Sequence, residues 1–287
     1  MESKQVLVTG ANGFTGGYVC AELIRRGFSV HKLASDILDI KSLEAELMSI
    51  RPEYCIHLAG IAFTQHSDIR QLYNVNLMGT LNLLSGFHNN NLAIKSVLLA
   101  SSGMMYQHGN DCMLNEGALV HPHNHYSASK LAMEYASNIF RDSLPLIVAR
   151  PFNYTGVNQS DNFLIPKIVN HFKAQKSVLK VGNTNVYREF NDVRDIAGIY
   201  VDLILDVKSH SSPINICSGI GVCVSDVIAL CEQISGFSLE TEVDPRFVRE
   251  GEPYKVIGDN SLLKTLVPLK NRFNISETLS WMLGGES

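Results

Sequence analysis

The stretch "VTGANGFTG" (residues 8–16) runs directly out of an apolar segment near the start of the chain. Its glycines recur at every third position, and the residues after Gly16 have the apolar spacing of a helix. A strand, a glycine turn and a helix in this order point backbone N–H groups and the positive end of the helix dipole at one spot, which suits a pyrophosphate. Glycines also serve plain strand-to-helix turns, so this stretch alone leaves both interpretations open.

Composition narrows the class of protein. The chain has 287 residues, is 45% hydrophobic and 18% charged, and carries a formal net charge of -4, so we expect a large buried core and no nucleic-acid partner. No apolar run approaches the roughly 18–20 residues that a membrane span needs, and no leader precedes the first strand, so we predict a cytoplasmic protein without a membrane partner. Six scattered cysteines without a CxxC pair favour reduced thiols and no metal site.

The order of elements predicts the fold. Short apolar runs read as strands at 6–9, 28–34, 55–59, 96–101 and 146–149, and amphipathic stretches read as helices at 16–26, 40–50, 73–89 and 126–140. Such alternation predicts an α/β protein with a doubly wound parallel sheet of the Rossmann type.

The regular alternation of strands and helices ends after Pro151, where short strands, turns and a helix at 165–174 follow. We therefore expect a smaller, C-terminal substrate-binding lobe. The predicted dinucleotide-binding domain covers residues 1–152, rejoined by about 179–218, and the predicted lobe covers 153–178 and 219–287.

A tyrosine and a lysine form a candidate catalytic pair. Of ten tyrosines only Tyr126 has a lysine, Lys130, four residues further on, and this spacing places both side chains on one face of a helix. A nearby ammonium favours the phenolate and should lower the pKa of Tyr126 from its usual value of about 10. Ser102, after the fourth predicted strand, offers a hydroxyl to a substrate oxygen. The alternatives are an exposed helical pair and a turn-capping serine.

Together these motifs resemble the extended short-chain dehydrogenases that act on nucleotide-activated sugars. The resemblance covers almost the whole chain, and the further motifs that carry it are "SDILD" (35–39), "HLAG" (57–60), "NVNLMGTLNLL" (74–84), "YSASK" (126–130), "ARPFNYTG" (149–156), "REFNDVRD" (188–195) and "REGEP" (249–253).

The resemblance implies roles for individual residues. It implies that Ser102, Tyr126 and Lys130 are catalytic, and that an NAD(P)H cofactor binds at Gly10, Asn12, Gly13, Phe14, Gly16, Asp36, Ile37, Leu58, Ala59, Gly60, Asn76, Tyr126, Lys130 and Phe152. It implies a nucleotide-diphosphate sugar held by Ser102, Asn153, Arg188 and Arg249. A turn residue remains the alternative for Asn153, and surface ion pairs remain the alternative for the two arginines.

Departures from the family pattern select a reaction. Ala34 stands where an acid usually holds the adenosine 2'-hydroxyl, so NADP is permitted. No arginine is placed to bind a 2'-phosphate and Lys32 or His31 is only a weak candidate for it, so both NAD and NADP stay open. Gly103 and Met104 replace the Asp-Glu pair of the sugar dehydratases, which disfavours dehydration.

We therefore predict an NADH- or NADPH-dependent reductase for the C4 keto group of a dTDP- or GDP-linked 4-keto-6-deoxyhexose. An NDP-hexose 4-epimerase with tightly bound NAD is the alternative, and a non-catalytic nucleotide-sensing protein is a third. The family habit also implies a homodimer through helices in 73–89 and 126–140.

Overall fold

A computed structural model describes residues 4–62, 67–107, 113–206, 211–248, 251–269 and 273–285. Within them the strands are β1 (Gln5–Thr9), β2 (Ser29–Lys32), β3 (Tyr54–His57), β4 (Ser96–Ala100), β5 (Leu146–Pro151), β6 (Tyr154–Thr155), β7 (Val178–Val181), β8 (Tyr187–Arg188), β9 (Asn191–Asp192), β10 (Ile214–Ile216), β11 (Val222–Cys223), β12 (Glu240–Val243) and β13 (Lys255–Val256). The helices are α1 (Phe14–Arg25), α2 (Ile40–Ile50), α3 (Ile69–Tyr73), α4 (Thr80–Asn89), α5 (His125–Ser137), α6 (Leu164–Lys173), α7 (Val193–Asp206), α8 (Val224–Ser235), α9 (Ser261–Leu266) and α10 (Ile275–Leu283).

A six-stranded parallel sheet forms the centre, in the order β10-β5-β4-β3-β1-β2. Successive side chains of one strand enter different cores, since Val6 and Val8 pack with α1 and α7 on one face while Leu7 packs with α2 and α4 on the other. Burial of both faces explains why these strands read as continuous apolar runs. The predicted doubly wound α/β fold is confirmed.

Most predicted elements differ from the structure by one to three residues at an end, and two differences have a clear physical cause. The strand predicted at 28–34 ends at Lys32, because β2 is an edge strand whose partner β1 ends one residue after the Val8–Lys32 pair. The helix predicted at 73–89 begins at Ile69, where the Asp68 carboxylate accepts the Gln71 N–H. Between α3 and α4 the same helix widens into a π turn, Asn74–Gly79, a feature frequent at functional sites.

The rest of the chain packs around a third core. Helices α6, α8 and α10 enclose apolar side chains from residues 165–186 and 222–282, with the small β11-β8-β13 and β12-β7 sheets beside them. Strand β10 returns from this part of the chain to pair with β5. The division into a dinucleotide-binding domain and a substrate lobe stays a prediction.

Two findings bear on the composition argument. No helix among the described residues is long and apolar enough to cross a membrane. The described cysteines are buried free thiols, and Cys112 lies outside the described residues. The cytoplasmic location stays a prediction.

Candidate functional site

The glycine turn between β1 and α1 has no room for side chains. A Cβ at Gly10, whose φ is +65°, would lie 2.7 Å from the Ala59 nitrogen, and one at Gly16 would lie 2.2 Å from the Gly10 carbonyl oxygen. Helix α1 starts at Phe14 without a side-chain cap at Gly13, and Asn12 and Gly13 are exposed. An exposed turn of backbone at a helix N-terminus fits a pyrophosphate, so these residues fit a dinucleotide cofactor.

A buried relay holds the end of β3 against this turn. The Thr9 hydroxyl accepts the backbone N–H groups of Leu58 (3.2 Å) and Ala59 (3.0 Å) and lies 2.7 Å from His57 Nδ1. His57 Nε2 lies 2.8 Å from the Thr80 hydroxyl, which donates onward to a carbonyl. The relay is satisfied only if His57 is neutral with its proton on Nε2. Burial, reinforced by Lys130, lowers the pKa of His57 to about 3, in agreement.

Gly60 lies where the β3 loop meets two predicted site residues. A Cβ at Gly60 would lie 3.0 Å from Asn76 Oδ1 and 3.2 Å from Lys130 Nζ. The Asn76 amide is itself fixed, since its oxygen accepts the Ile61 N–H and its nitrogen donates to the Ser129 hydroxyl at 3.0 Å. The structure therefore brings Gly60, Asn76 and Lys130 together.

Ser102, Tyr126 and Lys130 also meet, at the carboxyl end of β4. Asn124 caps α5 and starts the helix that carries Tyr126 and Lys130, both of which are buried. The Ser102 hydroxyl lies close enough to the Tyr126 phenol to lower its pKa, and the Ser102 oxygen accepts the Met104 N–H at 3.1 Å, so Ser102 is a turn cap that also faces the phenol. Lys130 Nζ donates to the Ala100 carbonyl at 2.8 Å. Ser102, Tyr126 and Lys130 are called the open cluster below.

The pKa values in the open cluster follow burial. Desolvation raises the pKa of Tyr126 to about 12, although the nearby Ser102 hydroxyl opposes the rise. The expected lowering of the Tyr126 pKa by Lys130 is wrong for this structure, because burial removes the phenolate from water and Lys130 is not among the groups that shift this pKa. Desolvation likewise lowers the pKa of Lys130 to about 8, partly offset by Glu134.

A second tyrosine, missed in the sequence analysis, lines the same region. The Tyr154 hydroxyl lies 2.8 Å from that of Thr15 in the glycine turn, and its ring stacks on Phe14 with centroids 6.1 Å apart. Tyr154 also adds to the raised pKa of Tyr126, so the two phenols are close. The "FNYTG" motif was the available signal, but it pointed to Asn153.

Behind the open cluster lies a buried, fully paired set of polar side chains. Arg150 forms two hydrogen bonds with the Glu134 carboxylate (2.9 and 2.6 Å) and donates to the Tyr106 hydroxyl at 3.0 Å. That hydroxyl donates to Asn215 Oδ1 at 2.6 Å, while the Asn215 amide nitrogen donates to the Leu114 carbonyl. Glu134, Arg150, Tyr106 and Asn215 are called the closed cluster below.

Other predicted residues are placed less directly. The Phe152 ring is buried against Gly103, Gly258 and Tyr106. Asn153 is exposed, and its carbonyl accepts two hydrogen bonds from Asn191.

At the adenine end, Asp36 is exposed and its carboxylate accepts the Leu38 N–H at 2.9 Å. The Ile37 side chain is buried against Gly79 and belongs to the apolar core, so a contact of Ile37 with a ligand would use its backbone.

The predicted diphosphate arginines differ in what the structure describes. Arg188 is half-buried, forms a 3.0 Å ion pair with Glu252 and donates to the Tyr187 carbonyl. Arg249 lies outside the described residues.

Comparison with known proteins gives one family match. Residues 6–217 match the model of the NAD-dependent epimerase/dehydratase family.

Two curated relatives align over nearly the whole chain. The chain is 33% identical to the GDP-6-deoxy-D-talose 4-dehydrogenase of Aggregatibacter actinomycetemcomitans, covering 94% of this chain and 93% of the relative. It is 30% identical to the GDP-6-deoxy-D-mannose reductase of Pseudomonas aeruginosa, covering 98% and 96%.

A solved structure agrees with the fold. The structure of RMD from Pseudomonas aeruginosa complexed with NADPH superposes with a TM-score of 0.89 at 29% identity, covering 98% of this chain and 96% of that one.

Proposed function

This chain belongs to the NAD-dependent epimerase/dehydratase family, and we propose that it reduces the C4 carbonyl of a nucleotide-linked 4-keto-6-deoxyhexose. Family membership makes it an NAD(P)-dependent oxidoreductase of the extended short-chain dehydrogenase/reductase type that acts on nucleotide sugars. The product is a 6-deoxyhexose such as 6-deoxytalose or rhamnose for surface polysaccharide. The observation that carries the proposal is the open cluster, where the Ser102 hydroxyl faces the buried Tyr126 phenol and Lys130 follows one turn later on the same helix.

The residues that would hold the cofactor follow from the fit described above. The glycine turn at Gly10, Asn12, Gly13, Phe14 and Gly16 would take the pyrophosphate, and Asp36 and Ile37 would take the adenine end. Leu58, Ala59, Gly60, Asn76, Tyr126, Lys130 and Phe152 would surround the nicotinamide end. A bound reduced nicotinamide supplies a hydride to C4 of the sugar.

Tyr126 provides the proton that the C4 oxygen needs. A phenol whose pKa is about 12 is protonated at neutral pH, which is the form that a general acid requires. The oxygen of a reduced carbonyl becomes an alkoxide, which is basic enough to take a proton from such a phenol. Ser102 donates a hydrogen bond to the same oxygen, and Lys130 stabilises the phenolate that remains.

Substrate binding would use the other end of the site. We assign the diphosphate to Asn153, Arg188 and Arg249, since a planar guanidinium pairs well with phosphate oxygens. The 3.0 Å pair of Arg188 with Glu252 would have to be exchanged for the diphosphate. The names of both curated relatives contain a GDP-linked 6-deoxyhexose, which favours GDP over dTDP.

Absence of an acid at Gly103 and Met104 distinguishes reduction from dehydration. Elimination of water from the sugar needs an acid beside the leaving hydroxyl, and neither of these residues offers one. The sugar's deoxygenation at C6 is therefore assigned to an earlier enzyme, and this chain to the carbonyl that remains.

The proposal is tested by following the reduced-nicotinamide absorbance. Purified protein mixed with GDP- or dTDP-4-keto-6-deoxyhexose and NADH or NADPH should oxidise the coenzyme in proportion to the sugar added. A flat signal together with C4 interconversion of nucleotide hexoses, without added coenzyme, would replace the proposal with the 4-epimerase. Coenzyme or nucleotide-sugar binding with no turnover of either kind would indicate the nucleotide-sensing protein.

We also propose a homodimer through the helices within 73–89 and 126–140. Met78, Tyr135 and Ile139 lie in or next to these helices with 46%, 64% and 81% of their surface exposed. Large apolar side chains that are exposed on one surface are typical of interaction sites, and we assign these three to the dimer surface. Light scattering that gives the mass of one chain at all concentrations would contradict the dimer.

A further inference from the structure

The carboxylate of Glu46, on α2, lies on the backbone that follows β2. One oxygen accepts the Ala34 N–H at 2.9 Å and lies 2.6 Å from His31 Nε2. The other accepts the Ser35 N–H at 2.7 Å and the Ser35 hydroxyl. Each oxygen thus has two hydrogen-bond partners, which fills the usual accepting capacity of a carboxylate.

This backbone belongs to the cofactor side of the sheet. Val8 of β1 pairs with Lys32 of β2, and the Leu33 N–H donates to the Val8 carbonyl, so residues 33–35 lie beside the strand that leads into the glycine turn. In doubly wound folds the residue about 20 positions beyond that turn meets the adenosine ribose. Ala34 occupies this place, and it has no carboxylate of its own.

The groups that Glu46 covers form a ready-made anion site. Two consecutive N–H groups with an adjacent hydroxyl are the donors with which backbone concavities bind phosphate. With Glu46 in place they hold a carboxylate. Although burial opposes it, hydrogen bonds from Ser35, Ala34 and His31 lower the pKa of Glu46 to about 2, so it is charged at any working pH.

The neighbouring cations do not offset that charge for a second anion. His31 already contacts Glu46, and residues 28–37 contain no arginine. Lys32 is exposed and acts on the Cys20 thiol of α1, whose pKa it lowers against the larger effect of burial. A 2'-phosphate, which carries about −1.5 to −2 at neutral pH, would therefore meet a fixed carboxylate, and the Ala34 and Ser35 donors would already be in use.

We propose that Glu46 determines the choice of coenzyme, occupying the 2'-phosphate position and restricting the enzyme to NADH over NADPH. The inference rests on the proposed function only in that a nicotinamide coenzyme binds this turn. Glu46 acts from α2, so an acid at the end of β2 is not needed.

The test measures coenzyme binding by calorimetry on the full chain without sugar nucleotide. The wild type should bind NADH at least about tenfold more tightly than NADPH, since placing like charges together is costly. Glu46→Gln keeps the side-chain size and should bring the two dissociation constants within about threefold, chiefly by tightening NADPH, because the repulsion is removed. Glu46→Ala, which also frees the donors, should do the same or reverse the preference.

Glu44→Gln is the matched control, since it removes the same charge from the same helix, and within the described residues Glu44 contacts neither Ala34 nor Ser35 by a hydrogen bond. It should leave the preference unchanged. Equal binding of both coenzymes by the wild type, a preference that survives both Glu46 variants, or an equal shift in Glu44→Gln would overturn the inference. If neither coenzyme bound the wild type, the proposed function itself would fail.

Discussion

Arg150 and Lys130 are both buried cations near one carboxylate, Glu134, yet their surroundings differ. Arg150 uses its guanidinium on Glu134 and Tyr106, and although burial alone would lower its pKa, the Glu134 hydrogen bonds raise it. Within the described residues Lys130 donates a single hydrogen bond, to Ala100, and burial lowers its pKa to about 8. Two of its three N–H groups are therefore available for a ligand.

The difference shows what separates a structural polar cluster from a functional one. Both clusters are buried, and both contain a tyrosine and a cation. In the closed cluster the hydrogen-bonding capacity is used by other protein groups, within the cluster and at Ser101 and Leu114, as most buried polar groups require. In the open cluster part of that capacity is left, so spare capacity, more than burial or residue type, points to chemistry.

Replacing the two tyrosines by phenylalanine tests the comparison most strongly. Tyr126→Phe should lower kcat by about 10²–10⁴-fold, the usual contribution of a general acid, with coenzyme affinity little changed. Tyr106→Phe, which removes a hydroxyl from the closed cluster, should instead lower the free energy of unfolding by about 1–3 kcal/mol, because two buried partners lose a hydrogen bond. Steady-state kinetics and denaturant unfolding are measured on both variants. The assignment is refuted if Tyr106→Phe loses activity as Tyr126→Phe does, or if Tyr126→Phe loses stability and keeps its activity.

Removing one partner of the Arg150–Glu134 ion pair in the closed cluster should lower the stability of the fold. Arg150→Met removes the cation that pairs with the buried Glu134 carboxylate and leaves it the hydrogen bond from the Ser101 hydroxyl, which should lower the free energy of unfolding by about 3–5 kcal/mol. Replacing Glu134 by Met as well should restore much of that loss, because an apolar pair avoids the desolvation of two charges. A double variant as unstable as Arg150→Met would show that the pair is not coupled in this way.

Removing the charge of Lys130 should raise the stability of the fold, and the size of this effect should depend on pH. In the unfolded chain the pKa of Lys130 is near its ordinary value of 10.5 and in the fold it is about 8, so between these values the unfolded state binds more protons and stability rises with pH. Lys130→Met should therefore be more stable than the wild type at pH 7, by on the order of 1–3 kcal/mol, with the gap narrowing toward pH 10. Urea unfolding from pH 7 to 10 measures it, and a constant gap would mean that Lys130 is not desolvated as described.

Much of the fold could be predicted because its signals are local. The glycine spacing around Gly10 and Gly16 and the apolar runs of the central strands depend only on neighbouring residues, as does the shared helix face of Tyr126 and Lys130. The ends of the elements are harder to predict, since the last residue of β2 is set by the length of its partner strand β1.

The parts of the site that sequence reasoning missed depend on distant partners. Arg150 meets Glu134 across 16 residues and Tyr106 meets Asn215 across 109, so no periodicity reveals either pair. The rise in the pKa of Tyr126 was also missed, because burial is a property of the packed fold and only the spacing of Lys130 can be read from the chain.

The position of the Asn76 side chain depends on how many residues the π turn at Asn74–Gly79 contains. Residues 69–89 form one continuous helix, and the wide turn within it sets the angle at which Asn76 reaches Ile61 and Ser129. Deleting one residue from the turn, such as the exposed Met78, would remove the residue that widens it and change the direction in which Asn76 points relative to α4. A chain with every contacting side chain intact could thus lose the Asn76 contacts through a change of length alone.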